Sequence, residues 1–274
     1  MADYTDVGVY MNEIYLSIKY IPHTLKNALL EFYYNQKLYL SWLALNIFVI
    51  AATFFYMNVT ESLPLERITK IWQVSGYLMF MCIGCSIYYA MKILHTRGYV
   101  LNITNLPSYV LITVQIMNFI FIFIISYIVL QLVALGNKIE LTTNIFCILY
   151  FVLMTIILLM PICTIVALGG HLTRNIKSMI VLLLLIILIT SPILWVPGNL
   201  PDLLMNILKL NPFNFVINGV QESTVFGTNA FFNLPSQVIF IFELVMLYTW
   251  FDYLFTILKD EININKKVSK KIES

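Results

Sequence analysis

Glu243 places a carboxyl inside the apolar run Val238–Leu258, a turn and a half from its start. An acidic group at that depth is costly to ionise, so it is by default a functional candidate, as a proton carrier or a polar-ligand contact. The competing reading is a hydrogen bond at the membrane edge. Asn46 and Thr53 lie seven residues apart in a first apolar run, and Gln115 and Asn118 lie three apart in a third. Those spacings put each pair on one helical face. Such a face can line a polar path, or it can hold helices together by hydrogen bonds. Cys82, Cys85, Cys147 and Cys163 all fall within apolar runs, and no second Cys or His pair joins them. They read as small buried hydrophobes rather than a redox or zinc set. His23, His95 and His171 lack metal-ligand spacing and sit between the runs. No G-x-x-x-x-G-K-[ST] stretch occurs, so the chain cannot hydrolyse ATP by a phosphate loop. No catalytic residue, bound cofactor or metal is expected, and the composition gives no sign of nucleic-acid binding.

The elements that must position these groups are six apolar runs: Leu38–Met57, Trp72–Ile93, Tyr109–Leu135, Ile145–Leu168, Met179–Val196 and Val238–Leu258. A helix rises about 1.5 Å per residue and a hydrocarbon core is about 30 Å thick, so each run is long enough to span. With 60% hydrophobic and 11% charged residues and a mean hydropathy of +0.86, a soluble fold of this size could not hide so much apolar surface. The expected fold class is an all-α membrane protein. Residues 1–37 form a cytoplasmic interfacial helix, 38–258 a six-helix domain, and 259–274 a basic tail. Twelve of the 16 Lys and Arg residues fall on one side of this topology and four on the other. The positive-inside rule then puts both termini in the cytoplasm. The start, MADYTDVGVY, does not read as a cleaved signal peptide.

Three connecting segments add detail. In the N-terminal arm, Ile14, Ile18, Ile21, Leu25, Leu29 and Phe32 recur at helical spacing, so a helix there can lie in the headgroup layer. Pro22 should kink or restart it. Between the second and third runs, LHTRGYVLNITNLPSYV reads as a loop whose Asn105, Pro107 and Ser108 open the next helix; after the fourth, Gly169–Gly170 reads as a break before basic residues. The segment before the sixth run holds two apolar stretches, Leu203–Leu210 and Phe213–Phe226, too short to cross twice. It predicts a re-entrant helical hairpin over about 198–236, with Asn211 capping and Pro212 opening its second helix. Backbone at membrane depth survives only where protein or a cavity satisfies it.

SPILWVP at the end of the fifth run and KLNPFNFVINGVQES beyond it resemble the permease subunits of ABC-2-type exporters, closest to those that export teichoic acid, O-antigen or capsular polysaccharide. The resemblance is carried by Ser191, Pro192, Trp195, Asn211, Pro212 and Gly219, with LTRN around Arg174 similar to the family's basic turn. Such permeases usually carry Arg two residues after that glycine, where this chain has Gln221. The resemblance implies a permease of a bacterial cytoplasmic membrane that pairs with a second copy of itself. Two copies of a cytosolic ABC ATPase would supply ATP and Mg. The substrate would be a lipid-linked glycan, and the hairpin would gate the outer end of its path. It also implies ATPase coupling through His95, Arg97, Leu106, Pro107, Leu25 and Tyr34. A drug or lipid exporter of the same type is the nearest alternative, and an ion-coupled secondary transporter using Glu243 the next. Against the latter stands the lack of an inverted repeat.

Overall fold

The computed structural model describes residues 24–56, 63–104, 108–172, 176–195, 201, 207–227 and 233–272. Among them every regular element is helical. Five helices are long and apolar enough to cross a membrane, so this is a membrane-spanning protein. In chain order we label a lead-in helix α1 (24–34), α2 (Gln36–Ala51, continued by a π-helical turn over Ala52–Tyr56), α3 (Pro64–Thr104), α4 (Ser108–Gly136), α5 (Ile145–Leu172), α6 (Ile176–Thr190), α7 (Pro212–Val225) and α8 (Leu234–Ile272).

The third and fourth predicted runs match α4 and α5 closely at their starts. The fifth does not fill its expected length. Predicted over Met179–Val196, it is helical only over Ile176–Thr190, 15 residues or about 22 Å. Pro192 explains the early stop, because the residue before a proline is pushed out of the α region and the ring cannot donate to the ladder. The chain turns there over Ser191–Trp195.

Two expected breaks are helix instead. The stretch carrying His95 and Arg97 is no loop: α3 runs unbroken for 41 residues to Thr104. Only Gly98 weakens the helix there, and an internal glycine costs about 1 kcal/mol, too little to end a helix this long. Leu106 and Pro107, like Ile14, Ile18, Ile21, Pro22, His23 and Arg174, lie outside the described residues. Gly169 and Gly170 do not interrupt α5, which continues to Leu172. Their lack of a side chain serves approach: a Cβ on Gly170 would press on the Met91 carbonyl of α3, and one on Gly169 on Ile176 of α6. The basic tail likewise continues α8 as helix to Ile272.

The core is built around α3 and α5, whose facing residues include Leu78, Ile83, Ile87, Phe151, Leu158 and Cys163. The four cysteines are buried and unbridged. In α1, Thr24 and Ala28 face inward while Leu25, Leu29, Tyr33 and Tyr34 are exposed. Phe32 stacks on Tyr39 at 5.1 Å between ring centroids.

Candidate functional site

α7 is a 14-residue helix lodged at the end of the bundle where α3, α5 and α8 begin. At about 21 Å it is too short to span. Its first turn is set by Asn211 and Pro212. Asn211 Oδ1 accepts from the Phe213 N–H at 3.0 Å, satisfying one of the orphan donors that open a helix, and proline occupies the first position, where no N–H is needed. The Asn211 Nδ2 amide donates to Thr190 Oγ1 at 2.7 Å, which fastens the start of α7 to the end of α6.

The other end of α7 is satisfied almost bond by bond. A helix leaves its last carbonyls without intrahelical donors. Here the Ser223 carbonyl accepts from the Asn144 N–H at 3.0 Å, that of Thr224 from the Thr143 hydroxyl at 3.1 Å, and that of Val225 from the Thr142 hydroxyl at 2.5 Å. The Thr224 hydroxyl also meets Tyr127 Oη of α4 at 3.1 Å. Gly227 then turns the chain with φ +76, the left-handed conformation that glycine adopts without strain.

Between the ends, α7 packs closely because two glycines allow it. Phe151 of α5 lies flat enough on Gly219 that any Cβ there would run into its ring. On the opposite side Gln221, fully buried, lays its carboxamide over Gly76 of α3. From there Nε2 donates to the Trp72 carbonyl at 3.1 Å and the Pro192 carbonyl at 2.8 Å. Gln221 thus joins α3, α7 and the turn after α6 at one point. Position 221 is an enclosed amide. The carboxamide already lies where a Cβ on Gly76 would be.

Beside α7 lies a cavity of about 150 Å³. Its walls combine rings (Trp195, Phe151, Phe215) with polar groups (Lys209, Asn214, Asn218, Glu222, Asn233, Ser236). Trp195 is held by its indole N–H, which donates to the Ile189 carbonyl at 3.0 Å. Asn218 Nδ2 donates to Glu222 Oε1 at 2.8 Å. Burial pushes the Glu222 carboxyl above its ordinary value, and the bond from Asn218 offsets part of that rise. Sequence reading missed Lys209, Asn214, Asn218 and Glu222 as a group. For the last three, the one signal was the i, i+4 series 214, 218, 222, which puts three polar side chains on one face of the helix.

The remaining candidates are dispersed. Asn46 Nδ2 donates to the Ser126 hydroxyl at 3.1 Å, and Asn118 Nδ2 to Tyr39 Oη at 3.1 Å, which donates to Glu31 Oε1 at 2.7 Å. These bonds tie α2 to α4. Gln115 is buried on α4. Thr53 donates to the Val49 carbonyl at 2.8 Å and borders a groove with Gln73 and Tyr77. Leu25 and Tyr34 are exposed on α1, and His95 and Arg97 lie on the far half of α3, so neither group approaches α7.

Glu243 falls near the middle of the apolar window Leu234–Leu254 of α8, deeper than its place in the predicted run. Both of its carboxyl oxygens are buried, and neither has a hydrogen-bond partner among the described residues. One turn away Phe240 stacks on Phe215 of α7 at 4.3 Å, and the Tyr248 hydroxyl donates to the Ile157 carbonyl of α5 at 2.9 Å. No group of metal-ligating side chains occurs among the described residues.

No family model matches the chain, and no curated protein matches it.

Proposed function

We propose that this chain is the membrane subunit of an ATP-driven ABC-2-type exporter. It moves a lipid-linked cell-surface polysaccharide, of the wall teichoic acid, O-antigen or capsule class, outward across a bacterial cytoplasmic membrane. On this reading α6, extended by the turn over Ser191–Trp195, is the fifth of six crossings, α1 lies in the cytoplasmic headgroup layer, and both termini face the cytoplasm, as the charge asymmetry supports. A second copy completes the path. Two cytosolic ATPase subunits, carrying ATP and Mg, dock near α1, His95, Arg97, Leu106 and Pro107.

The observation that carries the reading is α7. On this reading α7 lies at membrane depth, where a capped 14-residue helix needs every polar end-group satisfied by protein, and its ties to α3, α4, the 142–144 segment and the end of α6 support that placement. A helix fixed that way can close one end of a path yet move as a unit when its neighbours tilt. The family resemblance in Asn211, Pro212 and Gly219 falls on the residues that build it.

The test is reconstitution. The purified chain alone should hydrolyse no ATP. With its ATPase partner it should move lipid-linked glycan into vesicles only when ATP is supplied. ATP-independent movement driven by a proton gradient would overturn the proposal. It would favour ion-coupled transport, which the buried, unpartnered Glu243 carboxyl supports. ATP-driven movement of amphipathic drugs or lipids but not glycan would keep the mechanism and change the substrate class.

A further inference from the structure

We infer that the cavity beside α7 holds a small zwitterionic end group, a primary ammonium next to a phosphate diester, with the ammonium at Glu222 and the phosphate at Lys209. The inference rests on the cavity alone and needs neither an ATPase nor the glycan reading.

Lys209 and Glu222 line the same cavity of about 150 Å³. They approach it from opposite ends of α7, Lys209 from the segment before Pro212 and Glu222 from the last turn. No ion pair joins them, and neither has another charged partner among the described residues. A ligand carrying both charges answers both side chains at once. An anion alone would face the Glu222 carboxyl, and a cation alone would leave Lys209 unanswered.

Glu222 is the stronger of the two contacts. Its Oε1 accepts from Asn218 Nδ2 at 2.8 Å, while Oε2 accepts no bond among the described residues and is not sealed from the cavity. Burial makes the charged carboxyl costly, and no cation offsets that cost. An ammonium set against Oε2 supplies the missing partner through a charge-assisted hydrogen bond. The rings of Trp195, Phe151 and Phe215 stand on the same wall, and an aromatic face attracts a cation. Lys209 is exposed and so stands at the mouth, where pairing is screened and worth less. Asn233 and Ser236 are neutral and serve either charge. The Asn214 and Asn218 amide oxygens are sealed off and take no part.

Size and access narrow the class. A cavity of this volume can hold benzene, which is close in size to an aminoethyl phosphate. It is partly open, so the group can be the end of a larger molecule. A phosphate keeps its charge when esterified on both sides, whereas a carboxylate loses its charge once linked. That favours an aminoethyl phosphate diester, which either a phospholipid headgroup or a substituted glycan can present.

The experiment is a saturation-transfer NMR titration of the full chain in phosphatidylglycerol nanodiscs, with glycerophosphoethanolamine, ethanolamine and glycerophosphoglycerol as probes. Glycerophosphoethanolamine should bind tightest. Ethanolamine, which lacks the phosphate, should bind about two- to fivefold more weakly, as loss of an exposed pair implies. Glycerophosphoglycerol, which lacks the ammonium, should bind at least about tenfold more weakly, because it forgoes the desolvated partner and meets the carboxyl unpaired. Lys209→Gln should lower glycerophosphoethanolamine to the level of ethanolamine and leave ethanolamine unchanged, a pattern that damage to the fold would not produce. Glu222→Gln keeps an acceptor for Asn218 and should make glycerophosphoethanolamine bind no better than glycerophosphoglycerol. No binding of glycerophosphoethanolamine by the wild type, equal binding of glycerophosphoglycerol, or unchanged binding in Glu222→Gln would each overturn the inference. Nanodiscs of phosphatidylethanolamine identify the source: competition with the soluble probe assigns the lipid headgroup, and its absence a glycan substituent. A chain that binds glycerophosphoethanolamine yet exports no glycan in the reconstituted system would leave the site standing and overturn the export reading.

Discussion

α3 and α8 have the same mean hydropathy, 1.5, over their candidate spans, yet 61% of the α3 window is buried inside the molecule against 6% of the α8 window. In water that contrast would be paradoxical, since apolar residues are driven inward. In a bilayer a leucine is equally satisfied by lipid or by protein, so apolarity does not decide which helix sits in the centre. Small residues and polar ties decide it. The central stretch of α3 carries Ser75, Gly76, Gly84 and Ser86, which let neighbours approach, and it receives Gln221 from α7. The outward side of α8 carries Phe242, Met246, Trp250 and Tyr253, which face away from the described bundle.

The contrast is broken most directly at Gly219. Gly219→Ala drives a Cβ into the Phe151 ring, an overpacking that costs about 1–3 kcal/mol or more because both backbones are held. Phe242→Ala, an equal or larger change in mass on the exposed side of α8, should stay within about 0.5 kcal/mol. Thermal unfolding in detergent compares the two directly, and equal losses would mean that burial in α7 and exposure in α8 are not the relevant difference.

Gln221→Leu comes next, at about 1–3 kcal/mol, for a buried bridge whose two bonds are lost together. Gly76→Ala attacks the same contact from the α3 side. The two should therefore be strongly non-additive in a double-mutant cycle, whereas Gly219→Ala with Phe242→Ala should add.

Asn211→Ala is milder, about 0.5–2 kcal/mol, and leaves the chain folded and inserted. It removes both the cap on Phe213 and the tie to Thr190. Under the export proposal its main effect is on transport: glycan movement falls, or ATP hydrolysis continues without it. Pro212→Gly should act the same way. Wild-type rates with normal coupling in both variants would make α7 a passive element.

How much of this was legible in the sequence divides along the same line. The bounds of α2, α4 and α5 and the Asn211–Pro212 cap depend on neighbours in the chain, and they were readable within a few residues. The 41-residue reach of α3 was not, because the apolar run ends at Ile93 while the helix continues through polar residues to Thr104. The Gly169–Gly170 pair misled for a related reason: glycine marks a turn or a close approach, and only the position of Met91 distinguishes them. Gln221 reaches a carbonyl 149 residues away. No local pattern could reveal that partner, or the cavity beside it.

The smallest effect concerns pH and α7 again. Because burial raises the Glu222 carboxyl, the folded chain holds that proton more tightly than the unfolded one. Stability from this group is therefore present at acid pH and lost as pH rises from the ordinary glutamate range through the raised value. Glu222→Gln should flatten that part of the stability profile. An unchanged slope would assign it elsewhere.

α3 has one further property that follows from its length alone. Forty-one residues at about 1.5 Å each make a rod of about 60 Å, twice the thickness of a hydrocarbon core. Pivoted near its middle, such a rod carries each tip through about 2.6 Å for a tilt of about 5°, since a continuous hydrogen-bonded helix bends little over that distance. The Trp72 carbonyl that Gln221 grips lies about 18 Å to one side of that middle, and Arg97 about 20 Å to the other. A push on the Arg97 side is thereby delivered to the Trp72 carbonyl as a displacement of about 1.6 Å, which is enough to unclasp a hydrogen bond.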